Sequence, residues 1–162
     1  MDFELTEEQR AIREAVREFA EKEIAPRAAE IDRTDEFPAE IFRRMGEQGL
    51  MGLHIPDAYG GAGADVIAQA LAVEEIARVS GSVGLTYAAH LSLGCSPIFN
   101  FGTDAQKKKW LVPLARGEGL GALALTEAKG GSDLAGGVQT TATREGNAWI
   151  LNGTKMYVTS GA

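Results

Sequence analysis

The feature that most constrains this sequence is a change of period near Gly117. Before it, apolar residues recur at helical steps. After it they alternate, and glycines crowd in. One element cannot carry both periods, so the chain reads as a helical domain over residues 1–119 and the beginning of a β domain over residues 120–162. The fold class expected is α+β: an all-α N-terminal domain followed by the first strands of an antiparallel β domain.

Within the first part, Thr6-Glu7-Glu8-Gln9 forms a capping-box pattern, and Ile12, Val16, Phe19 and Ile24 then mark one helical face. Pro26 is expected to end or kink that helix. A second helix is expected to start at Pro38, to carry Ile41, Phe42 and Met45, and to stop around residues 46–49. Residues 50–56 are a short apolar run leading into DAYGGAGAD. A strand there, followed by Gly61 and Gly63, would suggest a dinucleotide loop. Val66 stands where a third glycine is needed, however, and no acidic residue closes a βαβ unit. Residues 65–80 read as an alanine-rich helix suited to close packing. Residues 82–93 are less polar on all sides, as expected of a helix buried by its neighbours. Pro97 and Gly102 bracket a further short helical piece. Thr103-Asp104-Ala105-Gln106 is a second capping box, opening a helix with Trp110, Leu111 and Leu114 inward.

Several function classes drop out. The net charge is −7, with 16 Lys+Arg against 23 Asp+Glu, so neither nucleic acid nor an anionic membrane is the expected partner. Lys107, Lys108 and Lys109 read as a solvated helix face rather than a phosphate patch. The opening MDFELTEEQR lacks the basic start and apolar run of a secretory signal, and residues 83–93 are too short to cross a bilayer. Cys95 is the sole cysteine and is expected to pack in the interior. His90 is expected to be a hydrogen-bonded core residue. No second His, Cys or acidic side chain stands at metal-ligand spacing, so no metal site is expected.

The second part opens on GALALTEAKGGSDLAGG. Leu123 and Leu125 point one way, and Ala122, Ala124 and Thr126 the other. The narrow face ends in a hydroxyl and would admit a flat ligand. Gly130, Gly131, Gly136 and Gly137, beside Ser132 and Asp133, mean a backbone that must bend freely or lie very close to something, and the hydroxyls beside them suggest an extended polar ligand. VQTTATR, at residues 138–144, reads as a strand, Gly146-Asn147 as a turn, and residues 148–151 as the next strand. Asn152-Gly153 then predicts a hairpin leading into residues 155–159. Four short strands with open edges imply an N-terminal portion of a longer protein.

Two motifs carry a family likeness. ALTEAKGGSD resembles the signature of the acyl-CoA dehydrogenases, and NGTKMYVTSGA is similar to that family's second flavin-contacting strand. IPDAYGGAG, LAVEEIARVSGSVG and FGTDAQKKKWLVPLARGE agree in order and spacing, so the likeness covers the whole chain. It implies an N-terminal helical domain, a middle β domain and a C-terminal helical domain, with FAD between the latter two and subunits assembled as tetramers. The implied reaction is α,β-dehydrogenation of an acyl-CoA, with an electron-transfer flavoprotein as the oxidant of the flavin. The compartment implied is the cytoplasm, or the mitochondrial matrix in a eukaryote. Position by position, Leu123, Ala124 and Leu125 match a strand bordering the isoalloxazine, and Thr126 a hydroxyl bonded to the ring. Ser132 matches a serine near the FAD pyrophosphate and the pantetheine of the substrate, with Gly131 giving backbone access. Thr159 matches the hydroxyl beside flavin N5, and Tyr157 and Val158 residues packing behind the ring.

The chain departs from the family at Ala128-Lys129, where a proline-containing turn is usual, and at Tyr157, where tryptophan is usual. The family's catalytic glutamate falls in the C-terminal domain, so no catalytic residue is expected in this chain, and Glu127 reads as structural. Alternatives on the same scaffold are an acyl-CoA oxidase and a flavin monooxygenase. A non-catalytic helical interaction module is the alternative from another class.

Overall fold

The computed structural model describes residues 4–161. Met1–Phe3 of the acidic opening and the final Ala162, both part of the readings above, lie outside the described residues. The chain forms two compact units, Met1–Gly121 and Ala122–Ala162.

In the first unit, Thr6 and Gln9 exchange the capping-box bonds, Gln9 N–H to Thr6 Oγ1 at 3.1 Å and Thr6 N–H to Gln9 Oε1 at 3.0 Å, and open α1 (Glu7–Phe19). Gln9 Nε2 also donates to Asp65 Oδ2 at 2.7 Å, and Asp65 is itself the N-cap of α4 (Val66–Val79). Two helix starts are thereby tied together. Further along, the Arg17 guanidinium meets the buried Glu75 carboxylate through Nε at 2.9 Å and Nη2 at 2.6 Å, and Arg78 Nε donates to the same carboxylate at 3.2 Å.

Pro26 does not end the first helix. The chain widens into a π-helical turn (Ala20–Ile24) and continues as α2 (Ala25–Thr34), with the proline in its first turn. An α-helical proline lacks the N–H for its i−4 partner and its ring crowds that carbonyl; one wider turn relieves both problems. The same device recurs twice. α5 (Gly81–Ala89) passes through a π turn (His90–Cys95) into α6 (Ser96–Phe101), so the piece expected after Pro97 continues the helix before it. After Thr103 caps α7 (Asp104–Gln106), a π turn (Lys107–Leu111) leads into α8 (Val112–Ala115), again with proline at the start.

α3 (Ala39–Glu47) follows Pro38 and buries Ile41, Phe42 and Met45. Residues 50–56 do not form a strand. They begin with a 3₁₀ turn (Leu50–Gly52) that sends Leu50, Met51, Leu53 and Ile55 inward. The main core joins Leu50, Met51 and Leu53 to Val16, Ile24, Ala68, Ala72, Ile76, Val83, Tyr87 and Leu91, while Ile55 packs in a second cluster with Cys95, Leu111 and Ala115. The alanine pattern of α4 does allow close packing: a Cβ on Gly84 would stand 2.6 Å from that of Ala77. Trp110 corrects the expected inward face. It is exposed while Leu111 is fully buried, because the i→i+5 bonding of the π turn shifts the helical phase. Lys109 lies over its ring at 4.5 Å, Lys107 over the rings of Tyr59 and Phe99, and Lys108 against Asp104 at 2.8 Å. The three lysines are engaged on their own surface.

The second unit contains a capped turn, α9 (Leu134–Gly137), and an antiparallel pair, β1 (Thr141–Glu145) and β2 (Ala148–Asn152), in the register Thr143 to Ile150. Gly146, at φ +61°, closes the pair as expected. Two of the four expected strands do not form: residues 122–126 join no ladder, and Asn152-Gly153 starts no hairpin. Asn152 is already paired with Thr141, and the Thr140 side chain occupies the place where a Cβ on residue 153 would go. Tyr157 (φ 55°) and Ser160 (φ 60°) then adopt left-handed backbone, which no strand tolerates.

Candidate functional site

The candidate residues all lie in the second unit, and one carboxylate organises the segments that bear them. Glu127 is buried. Its Oε2 accepts from Gln139 N–H at 2.6 Å, and its Oε1 accepts from Thr140 N–H at 3.1 Å and from Lys155 Nζ at 2.7 Å. The Lys155 ammonium, followed by the donors at Thr140 and Gln139, holds the carboxyl far below the usual carboxylate range, at about 2. Lys155 Nζ also donates to Leu125 O at 3.1 Å, and Met156 N–H donates to Thr126 O at 2.8 Å. Residues 123–127 and 155–159, far apart in sequence, are thus held side by side.

The loop between them has its own internal logic. Glu127 and Gly130 exchange backbone bonds at 2.9 and 3.1 Å, and Asp133 Oδ1 accepts from Gly136 N–H at 2.9 Å. Gly130 and Gly137 are glycine because their backbones touch: a Cβ on Gly130 would stand 2.6 Å from the Gly137 carbonyl carbon. Gly136 lies against Asp133. Only Gly131 of the four opens outward, its nearest neighbour being Thr126 Cγ2 at 3.9 Å from a Cβ built there. Of the two roles the sequence left open for these glycines, three serve the bending and packing of the loop itself, and Gly131 alone is open.

Leu123 and Leu125, each 40% exposed, and the exposed Ala124 lead to a half-buried Thr126. Gly131 and Ser132 are exposed beside them. Val158 is half-buried and Thr159 exposed, while Tyr157 is 86% exposed on left-handed backbone. Among the described residues, no partner bonds to the hydroxyls of Thr126, Ser132 or Thr159. Small side chains, an open glycine and three unpaired hydroxyls on neighbouring segments suit a flat ring joined to an extended anion, so these residues fit FAD. Sequence reasoning missed Lys155 and the linking role of Glu127. The signal available was a glutamate and a lysine of opposite charge, one in each of the two motifs.

Other titratable groups are engaged elsewhere. His90, in the first unit, is fully buried: Gly121 N–H donates to its Nδ1 at 3.0 Å, and Nε2 donates to Met51 O at 2.9 Å. Burial pushes its pKa down, so the ring is neutral. It is the hydrogen-bonded core histidine anticipated from sequence. Gly94 and Gly121 pack backbone to backbone beside it, a Cβ on either standing 2.6 Å from the other's Cα. Cys95 is buried, and burial pushes its thiol up to about 12. Among the described residues, no group of three or more His, Cys, Asp or Glu could hold a metal ion.

Comparison with known proteins gives this geometry its context. The family model "Acyl-CoA dehydrogenase, N-terminal domain" matches residues 6–118, and "Acyl-CoA dehydrogenase, middle domain" matches residues 122–162. The chain belongs to the acyl-CoA dehydrogenase family. It is 53% identical over 160 residues to "Probable acyl-CoA dehydrogenase YngJ" of Bacillus subtilis strain 168, covering 99% of this chain and 42% of that protein. Butyryl-CoA dehydrogenase from Megasphaera elsdenii superposes with a TM-score of 0.94 at 40% identity, over 99% of this chain and 43% of that one. An acyl-CoA dehydrogenase complexed with FAD, from Bacillus anthracis, superposes with a TM-score of 0.89 at 37% identity, over 96% of this chain and 27% of that one. The chain therefore spans about two-fifths of the length of the curated relative. Family membership accounts for the helical unit and for the motif-bearing unit together. Among the described residues, no helix is long and apolar enough to cross a membrane.

Proposed function

We propose that this chain is the N-terminal part of an FAD-dependent acyl-CoA dehydrogenase, with residues 1–119 as its helical domain and residues 120–162 as the start of its flavin-binding β domain. The observation that supports the reading is the joining of residues 123–127 to residues 155–159 through Thr126 O and Lys155, side by side in the second unit. FAD, when bound, supplies the acceptor for a hydride leaving the β carbon of the acyl group. This chain's part is binding and electrostatics. Thr126 and Thr159 present hydroxyl donors to the ring, and donors fixed in advance stabilise charge that develops on it. Ser132 and the open Gly131 receive the pyrophosphate and the pantetheine side of the substrate. Leu123, Ala124 and Leu125 border the ring, with Tyr157 and Val158 behind it. The base that removes the α proton belongs to the remainder of the enzyme. The FAD-bound relative supports the cofactor, and the butyryl-CoA enzyme supports a short acyl-CoA as substrate. The partners proposed are an electron-transfer flavoprotein and further copies of the subunit in a tetramer. The compartment proposed is the cytoplasm, or the mitochondrial matrix in a eukaryotic host.

The test uses the full-length protein. Purified protein carrying FAD, bleached anaerobically by butyryl-CoA, is the expected result. A flavin-free protein, or bound flavin that no acyl-CoA reduces, would remove the reading. Hydrogen peroxide release at the rate of turnover would move it to an oxidase.

A further inference from the structure

The bonds around Lys155 have a consequence for one peptide group. Lys155 Nζ holds the carbonyl oxygen of Leu125 at 3.1 Å. The Leu125–Thr126 peptide is trans, since no described peptide bond is cis. In a planar trans peptide the N–H points opposite to the C=O. Holding the carbonyl against Lys155 therefore turns the Thr126 N–H away from it, and among the described residues no acceptor pairs with that N–H. The same residue's carbonyl is taken by Met156 N–H. Thr126 is thus left with two free donors, its N–H and its hydroxyl, on a backbone fixed from behind.

Lys155 is fixed in turn. Its side chain is 23% exposed, and that of Glu127, its ion-pair partner, only 7%. A lysine side chain held without that carboxylate would carry several freely rotating bonds and a partly desolvated charge. Glu127 is itself held by two backbone N–H groups, so the pair stands on main chain. Its opposite charges cancel within 2.7 Å, so the unit gains a rigid support with little net field. Glu75 offers a contrast. It is also buried and paired, but its arginines come from α1 and α4, which carry no candidate cofactor residue.

We propose that Lys155 and Glu127 are positioning residues of the flavin site: the ammonium, seated on Glu127, orients the Leu125–Thr126 peptide so that Thr126 N–H and the Thr126 hydroxyl face the FAD ring together. The proposal rests on the flavin reading above. It assigns neither residue to proton or hydride transfer.

The experiment compares full-length wild type with Lys155→Met and Lys155→Arg, measuring the FAD dissociation constant, the visible spectrum of bound flavin and the unfolding midpoint of the apoprotein. Lys155→Met removes the donor to Leu125 O and is expected to weaken FAD binding about tenfold and to shift the flavin absorption bands, since a lost hydrogen bond to a charged group is worth about that much. Lys155→Arg keeps the cation beside Glu127, but its longer planar head displaces the donor. It is expected to unfold within a few degrees of wild type, yet to bind FAD roughly threefold more weakly with a shifted spectrum. Wild-type affinity and spectrum in either folded variant would overturn the proposal. If Lys155→Met does not fold, Lys155→Arg decides by the same criteria. A flavin-free wild type would instead remove the reading beneath, whatever the variants do.

Discussion

Among the described residues each unit buries one glutamate, and the two are held differently. Glu75 faces two guanidiniums reaching in from half-exposed positions on α1 and α4. Glu127 faces one ammonium and two backbone N–H groups. The first therefore joins helices that already share an apolar core. The second joins irregular segments that have almost none: β1 and β2 are exposed along their whole length, and Trp149, Leu151 and Tyr157 are open to solvent. Where a core exists, a buried ion pair adds to it. Where one is lacking, the carboxylate takes over the work of fixing main chain, and the segments it fixes are those with the proposed cofactor residues.

Replacing each glutamate tests that contrast most severely. Glu127→Ala is expected to abolish flavin binding in the full-length protein and hydrogen-exchange protection of the Gln139 and Thr140 amides, since three donors lose their acceptor at once. Retained protection at both amides would show that the segments hold without it. Glu75→Ala is expected to cost about 2–3 kcal/mol in denaturant unfolding of the helical unit. That lies below the range for a fully buried pair because the arginines are half in water. Flavin affinity should not change; a tenfold loss would blur the distinction between the two sites.

Acid separates the pair next. The Glu127 carboxyl is held at about 2 in the fold, below its unfolded value of about 4.3. Its contribution is therefore complete above about pH 4.3 and is lost as pH falls toward 2. Exchange protection at Gln139 and Thr140 should follow that course, and Glu127→Gln should flatten it. His90 makes a smaller limb at higher pH. Burial lowers its pKa, so the neutral ring contributes fully above about 6.5, and stability declines as pH drops below that value. A His90→Gln protein whose unfolding free energy still fell between pH 7 and 5.5 would assign that limb elsewhere. The smallest effect is expected at Lys108. Its pair with Asp104 lies on the surface, so Lys108→Ala should leave the denaturant midpoint where wild type has it.

The helices were legible because their signals are local. Thr6 with Gln9 and Thr103 with Gln106 announce two starts, and Asp65 and Ser80 bound a third element. The helix does not stop at Pro26 or begin at Pro97, because the chain widens ahead of each proline and a π turn leaves no periodic trace in the sequence. Trp110 was misplaced by the same phase shift. Residues 50–56 look like a strand by composition but have no strand to pair with. Asn152-Gly153 carries a strong turn signal, overridden by Thr140 packing against the glycine. In the site, Thr126 and Thr159 were visible as members of motifs. The Glu127–Lys155 contact was not, because it spans 28 positions and depends on how the loop between them folds.

His90 has one more consequence. Its two ring nitrogens are committed to Gly121 and Met51 in opposite roles, one accepting and one donating. A ring so committed is unfit to act as ligand or base, but it has one tautomer for as long as Gly121, the last residue of the helical unit, stays seated. Nitrogen chemical shifts distinguish the two tautomers of imidazole, so His90 is a built-in gauge of that junction. Its signal should hold while the exit from the helices is intact and average once Gly121 lets go, reporting the first loosening of the fold with no label added.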